Sequence, residues 1–270
     1  MDPEKQELSS GLRGGADKLN GEHEAFQVED ANGAGDRLPH HQPRFSPEEE
    51  AAVIRKLDWY LMPLIFILYS LSVLDRSNLG NARIAGLTKD INLTGRRYDW
   101  LATVFYIAYI LSQWATIGWK AFRPHRWIAA VVFLWGLVST LQATVFSWGD
   151  LMACRVFLGI VEACYGPGVP LYLSYFYPRE KLGFRTGIFL SGSALANAYG
   201  GALAYGIAQE KSSVAPWRIL FIVEGVPTCL LAILAFFWFP DTPSTAWFLT
   251  EHQKEIVSYP PFMSAISTVC

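Results

Sequence analysis

The chain has 270 residues with a formal net charge of −2, and is 51% hydrophobic and 14% aromatic. A charge balance this close to neutral gives no sign of a nucleic-acid partner. Cys154, Cys164, Cys229 and Cys270 form no C-x-x-C pair and three of them fall inside apolar runs, which excludes a zinc or disulfide framework. They serve as small hydrophobes, and no metal or cofactor is expected.

Residues 1–50 are rich in Glu, Asp, Lys, Gly, Gln and Pro and poor in aromatic and β-branched residues. Such a stretch cannot bury enough apolar surface to offset its ordering entropy, and reads as a disordered cytoplasmic tail. No apolar core lies near Met1, so no cleavable signal peptide is expected. From Leu57 the composition inverts. Crossing the hydrocarbon core takes about 20 mostly apolar residues in a helix. Six segments meet that length, at 59–81, 100–119, 127–147, 151–174, 184–207 and 217–239. Charges or turn signals separate them, among them Lys120 to Arg126 with Pro124, Ser147 to Asp150, and Tyr177 to Lys181. The runs are too long and too many for soluble core helices. The prediction is an all-α, six-helix membrane bundle over residues 51–255, followed by a divergent tail at 256–270.

Basic residues near the span ends set the orientation. With the N-terminus inside, Arg55, Lys56, Lys120, Arg123, Arg126, Arg179, Lys181 and Arg185 are cytoplasmic, against Lys89, Arg96, Arg97, Lys211 and Arg218 outside. Both termini are therefore expected in the cytoplasm, with the chain in the plasma membrane. Asn92-Leu93-Thr94 is a glycosylation sequon in the predicted outer loop. Trp59, Trp100, Trp119, Trp127, Trp148, Trp217 and Trp238 cluster near span ends, as interfacial anchors do. The fifth span carries Gly183, Gly187, Gly192, Gly200, Gly201 and Gly206, read as close helix packing.

Four ionisable residues lie inside otherwise apolar spans: Asp75 and Arg76 in the first, Arg155 and Glu162 in the fourth. Each costs roughly 2.5–3.5 kcal/mol at mid-membrane on insertion scales, so they are expected to face protein or water. Arg155 and Glu162 are seven residues apart, on one face and roughly 10 Å apart along the axis, with Gly159 between them. Asp75 and Asn78 share a face, and Arg76 lies about 100° away. A guanidinium matches a carboxylate with a planar fork of donors and stays charged. A buried acid is pulled toward its neutral form by desolvation and toward its ionised form by a nearby Arg, which suits a proton carrier. The set contains what is needed to bind an organic anion and couple it to protons; the other reading is ion pairing that holds helices together, and the two roles can coexist. Gly166-Pro167-Gly168, with Pro170, should kink the fourth helix. Glu224 lies seven residues in from Trp217 and is read as structural, partnered by Arg218 or another span. No His lies in any span and no nucleophile–base pair stands out, so an enzyme is not expected.

Asp75-Arg76-Ser77-Asn78-Leu79-Gly80-Asn81-Ala82 resembles the first-span signature of the anion:cation symporter branch of the major facilitator superfamily. Arg155-Val156-Phe157-Leu158-Gly159 through Glu162-Ala163 to Pro167-Gly168 resembles that branch's fourth-span signature. The likeness continues through Tyr172-Leu173-Ser174, Tyr177-Pro178-Arg179-Glu180, Trp217-Arg218 and Pro240-Asp241-Thr242-Pro243. Fungal allantoate- and nicotinate-permease-like members look most similar. The resemblance implies an alternating-access, proton-coupled carrier of twelve spans whose halves are each two inverted three-helix repeats. It implies that Arg76 and Arg155, with Asn78, engage a substrate carboxylate while Asp75 and Glu162 handle protons.

Two departures qualify the resemblance. In the loop between the second and third spans, Gly118, Arg123 and Arg126 fit the superfamily pattern, but Phe122 stands where Asp is expected and His125 where Gly is. The chain also matches only an N-terminal half, and its last residues are expected to mark a truncation. A complete pathway then needs the other half or a second copy. The alternative function is a non-transporting half-carrier that oligomerises with itself or regulates a full-length relative.

Overall fold

The computed structural model describes residues 45–209 and 213–259. Residues 1–44 and 260–270, the bulk of the two expected tails, lie outside the described residues. The first helix, α1 (Pro47–Ala82), begins inside the segment expected as tail. The reason is local. Ser46 caps it, its Oγ accepting from Glu49 N–H at 3.2 Å while Glu49 Oε2 accepts from Ser46 N–H at 2.9 Å. Pro47 occupies the first turn, and Glu48, Glu49 and Glu50 suit the positive helix end.

Five further long helices follow: α2 (Arg97–Leu111), α3 (Pro124–Leu141), α4 (Trp148–Ala163), α5 (Arg179–Gln209) and α6 (Pro216–Trp238). An amphipathic α7 (Glu251–Ser258) folds back on the start of α1, where Lys56 Nζ donates to Gln253 Oε1 at 3.0 Å. Four stretches are long and apolar enough to cross a membrane alone: Pro47–Asp90, Pro124–Thr144, Trp148–Leu173 and Pro216–Trp238. A fifth arises when α2 and the segment Gln113–Ala121, bent 45° from it, count as one span. The straight second span expected at 100–119 is thus broken, by tighter 3₁₀ winding over Gln113–Ile117. The fifth expected span, 184–207, lies within α5, which is less apolar than the others. Its 31 residues reach roughly 46 Å, ample length, but Gly, Ser, Asn and Tyr dilute its apolar character.

Contacts at the helix ends show that the helices alternate in direction. At one end, here the near end, Trp238 Nε1 of α6 donates to Tyr60 O of α1 at 2.7 Å, and Arg185 of α5 grips Asp58 of α1. At the far end, Arg218 at the start of α6 donates to Ala143 O and Val145 O beyond α3, and Trp148 of α4 donates to Arg97 O of α2. Within the bundle the helices pack most closely as α3 with α6, α1 with α5, and α2 with α4. Small residues permit this. A Cβ on Gly225 of α6 would fall 2.3 Å from Thr140 Oγ1 of α3, and one on Gly159 of α4 would fall 2.5 Å from Phe105 O of α2.

The apolar interior is divided in two. A large cluster toward the near end includes Leu68 of α1, Trp135 of α3, Leu158 of α4 and Ala232 of α6. A smaller one at the far end includes Leu79, Ala143, Leu151 and Phe221. Between those levels, helix by helix, lie most of the buried polar residues: Ser70, Ser72, Asp75 and Asn78 on α1, Ser139 on α3 and Gln142 just after it, Arg155 on α4, and Glu224 and Thr228 on α6, with Glu162 one turn past Leu158 on α4. A polar layer therefore crosses the bundle between two apolar cores.

Candidate functional site: a charged layer between α1, α3, α4 and α6

Asp75 and Arg76 are neighbours in sequence, but the helical turn between them sends them to different partners. Asp75 faces α3. Its carboxylate accepts from the Trp135 indole N–H and, at 2.5 Å, from Ser139 Oγ. Arg76 faces α4 and α2. Its Nε donates to Glu162 Oε2 at 2.7 Å, and its guanidinium stacks 4.6 Å from the Tyr109 ring centroid and 5.6 Å from that of Phe105. The close approach of α2 at Gly159 brings those two rings into reach. The Glu162 side chain is fully buried, whereas that of Arg76 is 23% exposed. Arg76 is thus the arginine of the layer that reaches the bundle surface.

Arg155 is buried, and its contacts are sparse. Nη1 donates weakly to the Asp75 carbonyl oxygen at 3.5 Å, the guanidinium lies 5.8 Å from the Phe221 ring centroid, and Nε and Nη2 find no acceptor among the described residues. Asn78 is fully buried with both amide atoms unpartnered, and Glu162 Oε1 is likewise free. Buried polar groups are nearly always hydrogen-bonded, so this concentration of free donors and acceptors singles out the layer.

The five residues expected as a site do come together, with pairings that the sequence did not define. The acids and arginines pair crosswise between helices: Glu162 takes Arg76, and Arg155 touches the backbone of Asp75 rather than its carboxylate. The Gly166–Gly168 stretch does interrupt the fourth helix. α4 stops at Ala163 and a short helix resumes at Gly168–Leu173. The freed Cys164 carbonyl accepts from Trp119 Nε1 at 2.7 Å, and the Trp119 indole fills the place of a Cβ on Gly168. Asn92 lies apart, exposed on the far-end turn in a left-handed conformation with φ 52°.

Glu224 belongs to the layer, and of its two expected partners, Arg218 or another span, it has the second. Arg218 is engaged with the carbonyls at Ala143 and Val145, while Glu224 interacts with Asp75, Asn78 and Arg155. Its signal was an acid within an apolar run, the same one that marked Asp75 and Glu162. Two near-end contacts also had no sequence signature. Arg185 forks onto Asp58, with Nε to Oδ1 and Nη2 to Oδ2 both at 2.6 Å. Asp241 caps α3, accepting the His125 backbone N–H at 3.1 Å with the His125 Nδ1 2.6 Å from the same oxygen. His125, a departure from the superfamily pattern, is therefore tied to the Pro240–Pro243 motif.

Six long helices around a buried charged layer define an integral membrane protein of the polytopic helical class. Residues 65–270 match the Major Facilitator Superfamily, and the chain belongs to that family. It is 36% identical over 220 residues to the major facilitator-type transporter hxnP of Emericella nidulans, covering 78% of this chain and 44% of that protein. It is 39% identical over 213 residues to the uncharacterized transporter C1683.12 of Schizosaccharomyces pombe (78% and 44%), and 36% identical over 207 residues to the MFS-type transporter efuF of Hormonema carpetanum (76% and 42%). The chain thus spans less than half the length of these relatives. A similar fold occurs in a bacterial homolog to the human lysosomal transporter Spinster, in inward-facing and occupied conformation. The TM-score is 0.58 at 20% identity, over 68% of this chain and 45% of that one.

Proposed function

We propose that the chain forms one six-helix half of a secondary active transporter that couples protons to the symport of a small organic anion, in the manner of the anion:cation symporter branch. The observation that carries this reading is Arg155: a permanent cation buried between two apolar cores, with two guanidinium nitrogens lacking acceptors. A buried donor without a partner is costly, and a ligand carboxylate supplies the missing acceptors in fork geometry. Arg76 meets the anion first from the bundle surface, Asn78 adds an amide contact, and Arg155 completes the cradle once the Arg76–Glu162 pair opens. Asp75 and Glu162 then carry the protons, each acid lying beside an arginine whose engagement with substrate changes the local charge.

In this reading the pathway is completed by a second six-helix unit, either the other half of a longer protein or a second copy. The protein sits in the plasma membrane with both termini of the bundle in the cytoplasm. The test is uptake of labelled small carboxylates into vesicles by a complete transporter carrying this half, under an imposed inward proton gradient. Proton-driven uptake that Arg155→Ala abolishes, with membrane insertion intact, is the expected result. Uptake indifferent to the gradient, or unchanged in Arg155→Ala, overturns the reading.

A further inference from the structure

The acids of the layer outnumber its arginines. Asp75, Glu162 and Glu224 carry three potential negative charges against two positive ones on Arg76 and Arg155. Glu162 is satisfied by Arg76, which leaves two carboxyls, Asp75 and Glu224, beside one cation, Arg155. Their placement is enforced by packing. Gly225 brings α6 against Gly136 O and Thr140 of α3, and the same stretch of α3 carries Trp135 and Ser139, the donors to Asp75. The Glu224 carboxyl is thereby held at the level of Asp75 where α6 packs on α1, within electrostatic reach of that carboxyl. Glu224 is 2% exposed, and neither of its oxygens has a hydrogen bond of good geometry. The other ionisable groups facing this pair are Arg155 and Glu162 from α4, Tyr199 from α5 and Cys229 from α6.

We infer that Asp75 and Glu224 share a single proton, making Glu224 of α6 part of the proton-holding site. Two ionised carboxylates packed at one level and out of water repel strongly, as paired acids do at other buried sites. One proton between them converts the repulsion into an O–H···O⁻ hydrogen bond, the strong charge-assisted kind. The layer then sums to zero: two carboxylates, one carboxylic acid and two guanidiniums. The proton would reside on the α3 and α6 side of Asp75, while Arg76 and Glu162 remain free to part on the α2 and α4 side. This deepens the proposed function by naming a further residue of its proton site, and its test does not depend on transport.

The test is infrared difference spectroscopy of the full chain in lipid nanodiscs, following the C=O stretch of protonated carboxyls through an alkaline titration. One buried carboxylic acid per chain is expected. Its band should vanish in Glu224→Gln and in Asp75→Asn, each of which removes one partner of the repulsion, and persist in Glu162→Gln. Trp135→Phe, which removes a donor to Asp75 alone, should shift the same band and serves should Glu224→Gln fail to fold. Absence of the band from the wild-type chain, its persistence in Glu224→Gln, or its loss in Glu162→Gln overturns the inference. If the band follows Glu224 but no proton-driven uptake is found, the transport reading falls and the shared proton stands. If uptake is proton-driven and the band ignores Glu224, the reverse holds.

Discussion

Arg76→Met removes the cation from the Arg76–Glu162 pair while keeping a long, flexible apolar stem. Glu162 would then be a fully buried acid whose one close cationic partner, at 2.7 Å, is gone. Breaking a buried pair by deleting one member costs about 3–5 kcal/mol, because the remaining charge is uncompensated. The loss of the stacking on Tyr109 and Phe105 adds on the order of 0.5–1 kcal/mol for each ring. The sum is about 4–7 kcal/mol, and at roughly 2–4 °C per kcal/mol for a chain of this size the melting temperature should fall by about 8–28 °C. Glu162→Met, the matching single change, is milder, since the Arg76 it leaves unpaired is 23% exposed. The decisive variant is Arg76→Met combined with Glu162→Met, which replaces the pair by apolar side chains and should recover most of the loss. The assay is thermal unfolding of the four proteins in one detergent, read as a double-mutant cycle. A coupling below about 0.5 kcal/mol, or a double variant less stable than Arg76→Met, would refute the claim that α1 and α4 are joined by a desolvated charge pair.

At the helix break, Gly168→Ala would drive a methyl into the Trp119 indole, with Nε1 only 1.8 Å from the new Cβ. A cost of about 1–3 kcal/mol is expected, seen as a lower melting temperature with altered tryptophan fluorescence. At the near end, Arg185→Lys keeps the charge but cannot make both 2.6 Å contacts to Asp58. It should destabilise the protein measurably, and a melting temperature equal to that of the wild type would count against the fork. Glu49 lies below the usual value of 4.5, first because its carboxylate accepts the Ser46 backbone N–H and then because of His252. The support it gives α1 is therefore full above the ordinary Glu range and lost as pH falls through the lowered value, so amide exchange in the first turn should quicken in acid, and Ser46→Ala should quicken it at neutral pH. Asn92 is exposed on the far-end turn, so expression in a glycosylating membrane should give a gel shift removed by Asn92→Gln. No shift would argue against that end facing the lumen.

The residues that announced themselves in the sequence were those that violate the solvent. An apolar run long enough to cross a bilayer and a charge within such a run are both legible without partners, which is why all six long helices and the acids and arginines on α1 and α4 could be named. Which neighbour each charge meets was not legible. Asp75 and Arg76 diverge by one helical step, and that step decides between Trp135 of α3 and Glu162 of α4. Glu224 carried the same signal, and its level was not legible: it stands eight residues inside α6, and Asp75 stands seven residues from the far end of α1, so the two share a level. The Asp58–Arg185 and His125–Asp241 contacts join positions more than a hundred residues apart, and no local pattern encodes them. The bend after α2 escaped because Ser112, Gln113 and Thr116 look tolerable in a straight helix, whereas the seating of Trp119 on Gly168 is a tertiary fact.

The pairing of helices also explains why the charged layer lies where it does. If α1, α2 and α3 correspond to α4, α5 and α6, the contact of α1 with α5 maps onto that of α4 with α2, and the α3–α6 contact maps onto itself. The lesser contacts obey the same rule, since α1 meets α6 as α4 meets α3. The irregular backbone follows suit: α1 passes into a π-helical turn at Arg83–Leu87 at the far end, and α4 breaks after Ala163 at the near end. An axis relating two inverted repeats must cross the bundle midway between its ends. Each repeat has one helix, α1 or α4, carrying an acid and an arginine near that level, so the Arg76–Glu162 bond is a bond between equivalent helices. A contact of that kind opposes any sliding of one repeat against the other. Under the proposed function, its making and breaking is the step at which a change of charge in the layer would become a change in the packing of the whole bundle.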